Sequence, residues 1–220
     1  MAERFYVTFI YEDRYLYFVR GLKTTVALTI GSFILGTLLA IVLCALKRSK
    51  SKAVARTTNV VCNFFIQIPT MVLLMLFVYI VFGSSTLNIL ITVIIALTIK
   101  AAAFLSDIFY SSVETVDPGE IEAARTLGLT RRQALFSIVL PQTVTAALPL
   151  FKNQFVVTLQ ETSVVGYLAI MDLTRASSII TARTLDALFG LICVSVIYLL
   201  VGYIGQALIG LLGRRKHIGG

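Results

Sequence analysis

Long stretches of this chain carry no charged side chain, and short polar or basic stretches separate them. The charge-free stretches are residues 24–46, 57–99, 133–151 and 187–213. A membrane-spanning helix needs about 20 apolar residues, so each stretch can hold one span and the second can hold two. A Gly/Ser turn signal at residues 82–86 divides the second stretch. The pattern predicts an all-α integral membrane protein with five transmembrane helices, at about 19–46, 54–82, 87–110, 135–160 and 186–213.

Composition and the distribution of charge support this prediction. Hydrophobic residues make up 58% of the chain and the mean hydropathy is +0.91, whereas a soluble domain is about 45–50% apolar. Lysine and arginine collect in the cytoplasmic loops of membrane proteins. Here they cluster at residues 47–56, 125–132 and 214–216. We therefore expect these loops and the C-terminal tail, residues 217–220, inside the cell.

The same reasoning places the N-terminal segment 1–18 and the segment 161–185 outside the cell. Residues 5–18 alternate aromatic and charged groups, which predicts either an interfacial segment or an ordinary polar tail. The formal charge of +8 follows from this topology. It does not indicate nucleic-acid binding.

No catalytic or metal-binding pattern accompanies the spans. The sequence lacks a phosphate-binding Gly-Lys-Ser/Thr loop, a His-Glu-x-x-His pair and a nucleophile elbow. Its single histidine, His217, lies in the terminal basic cluster, and its three cysteines fall inside apolar spans without metal-ligand spacing. We therefore expect no metal, no cofactor and no catalysis in this chain. An ion gradient or another subunit must then supply the energy for any uphill transport.

The polar loop at residues 112–134 carries the most specific pattern. It contains Glu122-Ala123-Ala124, then Gly128 after three further residues, and it leads into residues 138–141, Ile-Val-Leu-Pro. Residues 122–127 can form a short helix, Gly128 can end it in the left-handed conformation, and Thr130 can cap the next helix. The pattern predicts a rigid, exposed knob that suits docking of a soluble partner.

With this spacing the chain resembles the membrane subunits of bacterial ATP-binding-cassette importers, in particular the polar amino acid permease family. The loop signature of that superfamily is matched in full at Glu122, Ala123, Ala124, Gly128, Ile138, Leu140 and Pro141. Further similarity lies at residues 21–25, 102–107, 119–124, 148–149, 153–155 and 161–163.

The resemblance implies a type I importer permease fold over residues 19–216, with a cytoplasmic coupling helix in the 112–134 loop. The residues that would contact the ATPase are Glu122, Ala123, Ala124, Arg125 and Gly128. The resemblance also implies two ATPase subunits, which bind ATP and Mg²⁺, and a second permease chain, either identical or homologous. An extracytoplasmic solute-binding protein would deliver a polar amino acid to this complex in the lipid bilayer of the bacterial cytoplasmic membrane.

The spans depart from the family pattern. Where span two commonly has Arg-Gly-Thr-Pro, this chain has Ile-Gln-Ile-Pro at residues 66–69, and Lys100 occupies a position where asparagine is frequent. Pro69 predicts a kink, because it lacks an N–H and clashes with the preceding turn. Lys100 lies about 20 Å into span three, where a lysine costs about 2.5–3.5 kcal/mol. We expect it either to bind a substrate carboxylate or to form an ion pair with Glu161 or Asp107.

Other polar side chains are further candidates for the substrate path, namely Gln67, Asn153 and Glu161. The amides of Gln67 and Asn153 could instead bond neighbouring helices. We expect Lys152 near the outer side, where its side chain can extend toward the headgroups. Glu161 begins the 161–185 segment, which either docks the solute-binding protein or is a solvated loop.

Two other classes of function fit such a chain. An ion or solute channel would conduct without ATPase partners. A proton-coupled secondary transporter would use Lys100, Asp107 or Glu161 as relay groups and would work alone.

Overall fold

The structure, a computed structural model, describes residues 6, 10–84 and 86–214. The predicted tail at residues 217–220 lies outside these ranges. Every regular element within them is helical. The α-helices are α1 (Tyr15–Lys47), α2 (Lys52–Gln67), α3 (Thr70–Met75), α4 (Ile89–Glu114), α5 (Pro118–Thr126), α6 (Arg131–Ala134), α7 (Leu140–Glu161), α8 (Leu173–Thr184) and α9 (Ala187–Arg214). A 3₁₀ turn at Tyr11–Asp13 precedes α1. Between the α-helices lie a 3₁₀ turn at Thr162–Leu168 and π-helical turns at Leu76–Val81 and Leu135–Val139.

Four helical stretches are each long and apolar enough to cross a membrane. They are Tyr11–Lys47, Ile89–Glu114, Arg131–Leu168 and Ala187–Leu211. These stretches overlap four of the five predicted spans. α1 begins at Tyr15, so the end of the predicted N-terminal segment 1–18 is part of the first helix.

The remaining predicted span, residues 54–82, is broken. α2 and the stretch Thr70–Val81 meet at an angle of 103°. Ile68 and Pro69 are extended at the break, with ψ angles of 128° and 135°. Because Pro69 has no N–H to continue the helical hydrogen bonds, the predicted kink is confirmed as a complete interruption. The described residues thus contain four stretches that are long and apolar enough to cross a membrane, or five if the bent pair forms one span.

Small residues let α1 and α4 pack closely. Gly36 faces Ala101, and a Cβ added to the glycine would lie 3.0 Å from the alanine Cβ. Ala40 and Ala102 are fully buried in the same core. Membrane helices associate through such close packing, because lipid is as apolar as the side chains and gives no hydrophobic driving force between helices.

Two ion pairs join α1 to α4 near the start of α5, and we call this end of the bundle the α5 end. Lys47 pairs with Asp107, and Arg48 pairs with Glu114. The Lys47 side chain is almost fully buried, whereas the Arg48–Glu114 pair is exposed. The buried lysine therefore has its compensating charge at the edge of the apolar core.

Lys152 also lies toward the α5 end. Its Nζ is 2.8 Å from the position of a Cβ on Gly210, close to the C-terminus of α9. The expectation of a position near the opposite side is therefore wrong. The backbone of Lys152 is about midway along the helical stretch of span four, Arg131–Leu168, and its side chain extends from there toward the α5 end.

The segment 161–185 is mostly helical and packed into the bundle, so its interpretation as a solvated loop is wrong. Asp172 and Leu173 are completely buried. The Leu173 N–H donates to Thr25 Oγ1 of α1 at 3.2 Å. A Cβ on Gly21 would lie 2.6 Å from the Asp172 carbonyl oxygen, so backbone meets backbone here. The charged residues of the segment suggested exposure to solvent. Asp172 is instead the N-cap of α8 and accepts a hydrogen bond from the Arg175 N–H at 2.7 Å.

Candidate functional site

The helix α5 is fixed at its start by a capping side chain. Asp117 is the N-cap residue, and its Oδ1 accepts a hydrogen bond from the Gly119 N–H at 2.8 Å. Pro118 occupies the first turn, where its missing N–H costs nothing. Glu120 adds an acidic group that favours the positive end of the helix dipole. The sequence thus specifies where this helix begins.

The end of α5 is closed by a glycine motif. The Leu129 N–H donates to the Ala124 carbonyl at 3.1 Å, and the Gly128 N–H donates to the Arg125 carbonyl at 3.1 Å. Gly128 has φ of +88°. These are the two bonds of a Schellman motif, in which the left-handed position strongly favours glycine. The predicted left-handed cap at Gly128 is confirmed.

The next helix begins at Arg131 with Thr130 as its N-cap, as the sequence predicts. The Gln133 N–H donates to Thr130 Oγ1 at 3.3 Å, and the Thr130 N–H donates to Gln133 Oε1 at 2.7 Å. This reciprocal arrangement is a capping box. Because both sides of Gly128 are capped, the turn between α5 and α6 is held in one geometry.

A side-chain bond braces α5 against α7. Gln142 Nε2 donates to Glu120 Oε2. Between the two helices lies a pocket of about 440 Å³, whose lining includes Ala123, Leu127 and Pro141. Neither Glu120 nor Gln142 is predicted as a site residue from the sequence, because 22 residues separate them and no local pattern links them.

The predicted coupling residues form an exposed ridge with one buried anchor. Glu122, Ala123 and Arg125 are exposed, whereas Ala124 is 4% exposed and packs inward. Leu127 is 82% exposed at the tip. Within the described residues, the Glu122 side chain makes no hydrogen bond or ion pair, so the brace of this helix is Glu120. A fixed ridge with a free carboxylate and a bare leucine is suited to contact another protein.

A second candidate site lies at the break between α2 and α3. Lys100 Nζ of α4 donates to the Ile68 carbonyl at 2.8 Å and to Thr70 Oγ1 at 2.7 Å. It also lies 3.3 Å from Glu161 Oε1. The side chains of Lys100 and Glu161 are only 6% and 13% exposed. Of the two predicted ion-pair partners, the structure brings Glu161 to Lys100, while Asp107 pairs with Lys47.

Thr70 joins the two charges. Its Oγ1 accepts from Lys100 and donates to Glu161 Oε1 at 2.9 Å. The Ile68 carbonyl would have no helical partner at this break, and Lys100 satisfies it. The lysine therefore stabilises both a carboxylate and an interrupted helix. Sequence reasoning missed Thr70, because one hydroxyl among many in apolar spans carries no signal of its own.

The other predicted path residues stand apart from this cluster. Gln67 ends α2 directly before Ile68, and its side chain is exposed. Asn153 is exposed on α7, eight residues before Glu161 and so about 12 Å away along the helix. Glu161 Oε2 is buried and has no hydrogen-bond partner among the described groups. The cluster thus keeps one free acceptor oxygen.

Comparison with known proteins identifies the kind of chain that carries these two sites. The family model described as "binding-protein-dependent transport system inner membrane component" matches residues 24–218. That range includes the five predicted spans except the start of the first, and it includes the loop at Gly128.

Two curated relatives cover most of this chain. An L-cystine transport system permease protein of Bacillus subtilis is 29% identical over 199 residues, which are 90% of this chain and 82% of the relative. A glutamate/aspartate import permease protein of Escherichia coli is 28% identical over 208 residues, covering 90% and 93% of the two chains.

Solved structures agree in fold. A chain from the crystal structure of an amino acid ABC transporter superposes with a TM-score of 0.78 and 29% identity, covering 90% of this chain and 94% of that one. A chain of a methionine ABC transporter in an inward-facing conformation superposes with a TM-score of 0.76 at 22% identity, which supports the fold alone.

Proposed function

This chain belongs to the family of binding-protein-dependent transport system inner membrane components, and on that premise we propose that it forms the transmembrane path of an ATP-driven amino acid importer. The relatives named for cystine and for glutamate and aspartate support an amino acid cargo. ATP and Mg²⁺ bind to separate ATPase subunits. A solute-binding protein delivers the cargo to the side of the membrane opposite the ATPases.

The observation that carries this proposal is the doubly capped turn at Gly128. A protein that transmits motion from an ATPase needs a contact element that does not deform when it is displaced. α5 is capped by Asp117 at its start and by the Gly128 motif at its end, and the Glu120–Gln142 bond holds it on α7. Displacement of the exposed ridge is therefore passed to α7, which carries Glu161 at its far end.

The orientation follows from charge. We infer that the α5 end faces the cytoplasm, because the loop between α1 and α2 and the loop containing α5 hold clusters of lysine and arginine. When the bent pair of α2 and Thr70–Val81 is counted as one span, the N-terminus then lies outside and the C-terminus inside. This orientation presents Glu122, Ala123 and Arg125 to a cytoplasmic ATPase.

A polar strip on α7 and α9 supports contact with a second permease chain. Gln160, Ser195 and Tyr203 are exposed there, around a depression of about 370 Å³. Polar side chains at membrane depth usually face another helix or a wet path rather than lipid. We infer that this strip faces the second chain, identical or homologous, and that the translocation path lies between the two.

The Lys100–Glu161 pair supports a role in that path. An amino acid carries one carboxylate and one ammonium group, so its two charges can each replace one member of the pair. Lys100 would then bind the substrate carboxylate and Glu161 the ammonium. The competing interpretation is a structural ion pair that holds the α2–α3 break closed. In the structural case, Lys100→Ala lowers stability and leaves the affinity for uptake unchanged.

Transport proceeds by alternating access in this account. ATP binding closes the ATPase pair, the α5 ridges move with it, and the helices change which side of the path is open. Each ligand shifts this equilibrium only by its differential affinity for the two states.

The experiment is affinity purification of the tagged chain from its native host in mild detergent, with Gly128→Asp in parallel. Recovery of a P-loop ATPase and a solute-binding protein with wild type, and loss or uncoupling of the ATPase in the variant, are the expected results. A chain that purifies alone and transports in liposomes without ATP would instead be a channel or a proton-coupled transporter.

A further inference from the structure

A deep groove runs along the face of the bundle between α1, α7 and α9. Its volume is about 660 Å³, and its lining includes Ile30, Phe33, Phe155, Ile204 and Leu208. Two lining hydroxyls are satisfied within their own helix: Thr29 and Thr37 donate to the Thr25 and Phe33 carbonyls at 2.8 and 2.7 Å. The groove therefore presents hydrocarbon and no free donor among the described residues.

The groove follows α1, which is long and apolar enough to cross a membrane, so we expect the groove to lie within the apolar layer. Its α1 residues extend from Leu22 to Leu38, which is about 24 Å of helix. The charge-free part of α1, residues 24–46, is about 35 Å long, slightly more than the about 30 Å of a hydrocarbon core. One end of the groove thus coincides with the edge of the apolar layer.

Two basic side chains stand at that end of the groove. Lys23 precedes Val26 by three residues and Ile30 by seven, so it lies on the groove face of α1. Arg20 lies one turn before Lys23, and both side chains are exposed. In the part of the chain that the structure describes, neither forms an ion pair. Two cations that have no ion-pair partner among the described residues therefore lie at the headgroup level, at one end of the apolar groove.

We propose that the groove binds one acyl chain of an anionic phospholipid, whose phosphate lies against Lys23 and Arg20. Charge complementarity selects the headgroup, and the apolar walls select the chain. A protein helix fits less well, because this face lacks the exposed polar groups that the α7–α9 strip offers. The bound lipid fills the space between three helices and stabilises the packing of α1 on α7 and α9.

The headgroup part is tested by native mass spectrometry of the purified, delipidated complex titrated with phosphatidylglycerol and with phosphatidylcholine. Lys23→Gln is expected to weaken phosphatidylglycerol binding about fivefold, as for one basic residue near a lipid surface. Binding of phosphatidylcholine should change little. The matched control is Lys50→Gln, an exposed lysine beyond the other end of α1, which should bind both lipids like wild type.

The acyl-chain part is tested by filling the groove. Ile34 lines it and is 54% exposed, so Ile34→Trp should lower the binding of both lipids. Ile41 lies on the same helix outside the groove and is 57% exposed, so Ile41→Trp is the matched control. Equal binding by wild type and both tryptophan variants would overturn the proposal. A photoreactive residue at position 34 gives a second readout, which does not depend on the stability of the tryptophan variants. A crosslink to lipid supports the proposal, and a crosslink to another protein chain overturns it.

Discussion

Lys100 Nζ lies 3.3 Å from Glu161 Oε1 inside the apolar part of the bundle, and this pair joins α4 to the end of α7 at the point where the chain between α2 and α3 is broken. A lysine and a glutamate at this depth each cost free energy to insert. Together they form a neutral unit, and Thr70 completes it by bonding to both. The Lys100 bond to the Ile68 carbonyl also satisfies one backbone acceptor at the break before Pro69.

Removal of one charge should be worse than removal of both. Lys100→Met leaves a buried Glu161 without a cation, which should cost about 3–5 kcal/mol of stability. The double variant Lys100→Met, Glu161→Gln removes the uncompensated charge and should recover a large part of that loss. Chemical unfolding of the purified complex in detergent measures the stability of the single and the double variant. A double variant as unstable as the single one would contradict the ion pair.

Thr70 should matter through its hydroxyl. Thr70→Val keeps the shape of the side chain but leaves Lys100 and Glu161 each short of one hydrogen bond, which should cost about 1–3 kcal/mol. Thr70→Ser retains the hydroxyl and serves as the control, with a smaller loss. The measurement is the unfolding midpoint of each variant, which should be lower for Thr70→Val than for Thr70→Ser. Equal midpoints would argue against the bridging role of the hydroxyl.

Two glycines of α1 should respond in opposite ways to alanine. A Cβ on Gly21 would lie 2.6 Å from the Asp172 carbonyl oxygen, so Gly21→Ala must displace backbone and should destabilise by about 1–3 kcal/mol. A Cβ on Gly31 meets only Ile94 side-chain atoms, the nearest at 3.8 Å, so Gly31→Ala should be neutral or stabilising by up to about 1 kcal/mol. Thermal unfolding of both variants tests the packing of the 161–185 segment. A stable Gly21→Ala protein would contradict it.

The N-cap of α5 should be needed for contact with the ATPase. Asp117→Ala removes the acceptor for the Gly119 N–H and should weaken the helix by about 0.5–2 kcal/mol. Asp117→Asn keeps an acceptor and is the matched control. Retention of the ATPase during purification is the measurement. We expect a loss with alanine and near-normal retention with asparagine, and equal retention would show that the cap is dispensable.

The sequence predicted the parts of this fold that depend on local pattern. Charge-free length located four stretches that are long and apolar enough to cross a membrane. The glycine at position 128, which has a positive φ, and the hydroxyl of Thr130 located the turn between α5 and α6. A buried lysine implied a partner, and Glu161 was one of the two candidates. Each of these inferences rests on residues that are close in sequence or on the free-energy cost of burying one charged residue.

The remainder depends on contacts between distant residues. Leu173 bonds to Thr25, which is 148 residues away, so nothing in the 161–185 segment itself shows that it is buried. Its charged residues suggested solvent, yet Asp172 is fully buried and serves as a helix cap. The Glu120–Gln142 brace was missed for the same reason. Local composition does not distinguish a solvated acidic group from one that ends a buried helix.

The most direct test of the central claim is the ratio of substrate transported to ATP hydrolysed in proteoliposomes that contain the complete complex. Gly128→Asp forces a side chain into a left-handed position, φ +88°, although no atom lies within 4 Å of its Cβ, so it changes the shape of the α5 turn without disturbing the core. Gly31→Ala is the control glycine. We predict that Gly128→Asp lowers this ratio severely, or loses the ATPase altogether, while Gly31→Ala matches wild type. Wild-type transport per ATP in Gly128→Asp would contradict the assignment of the α5 turn as the coupling element.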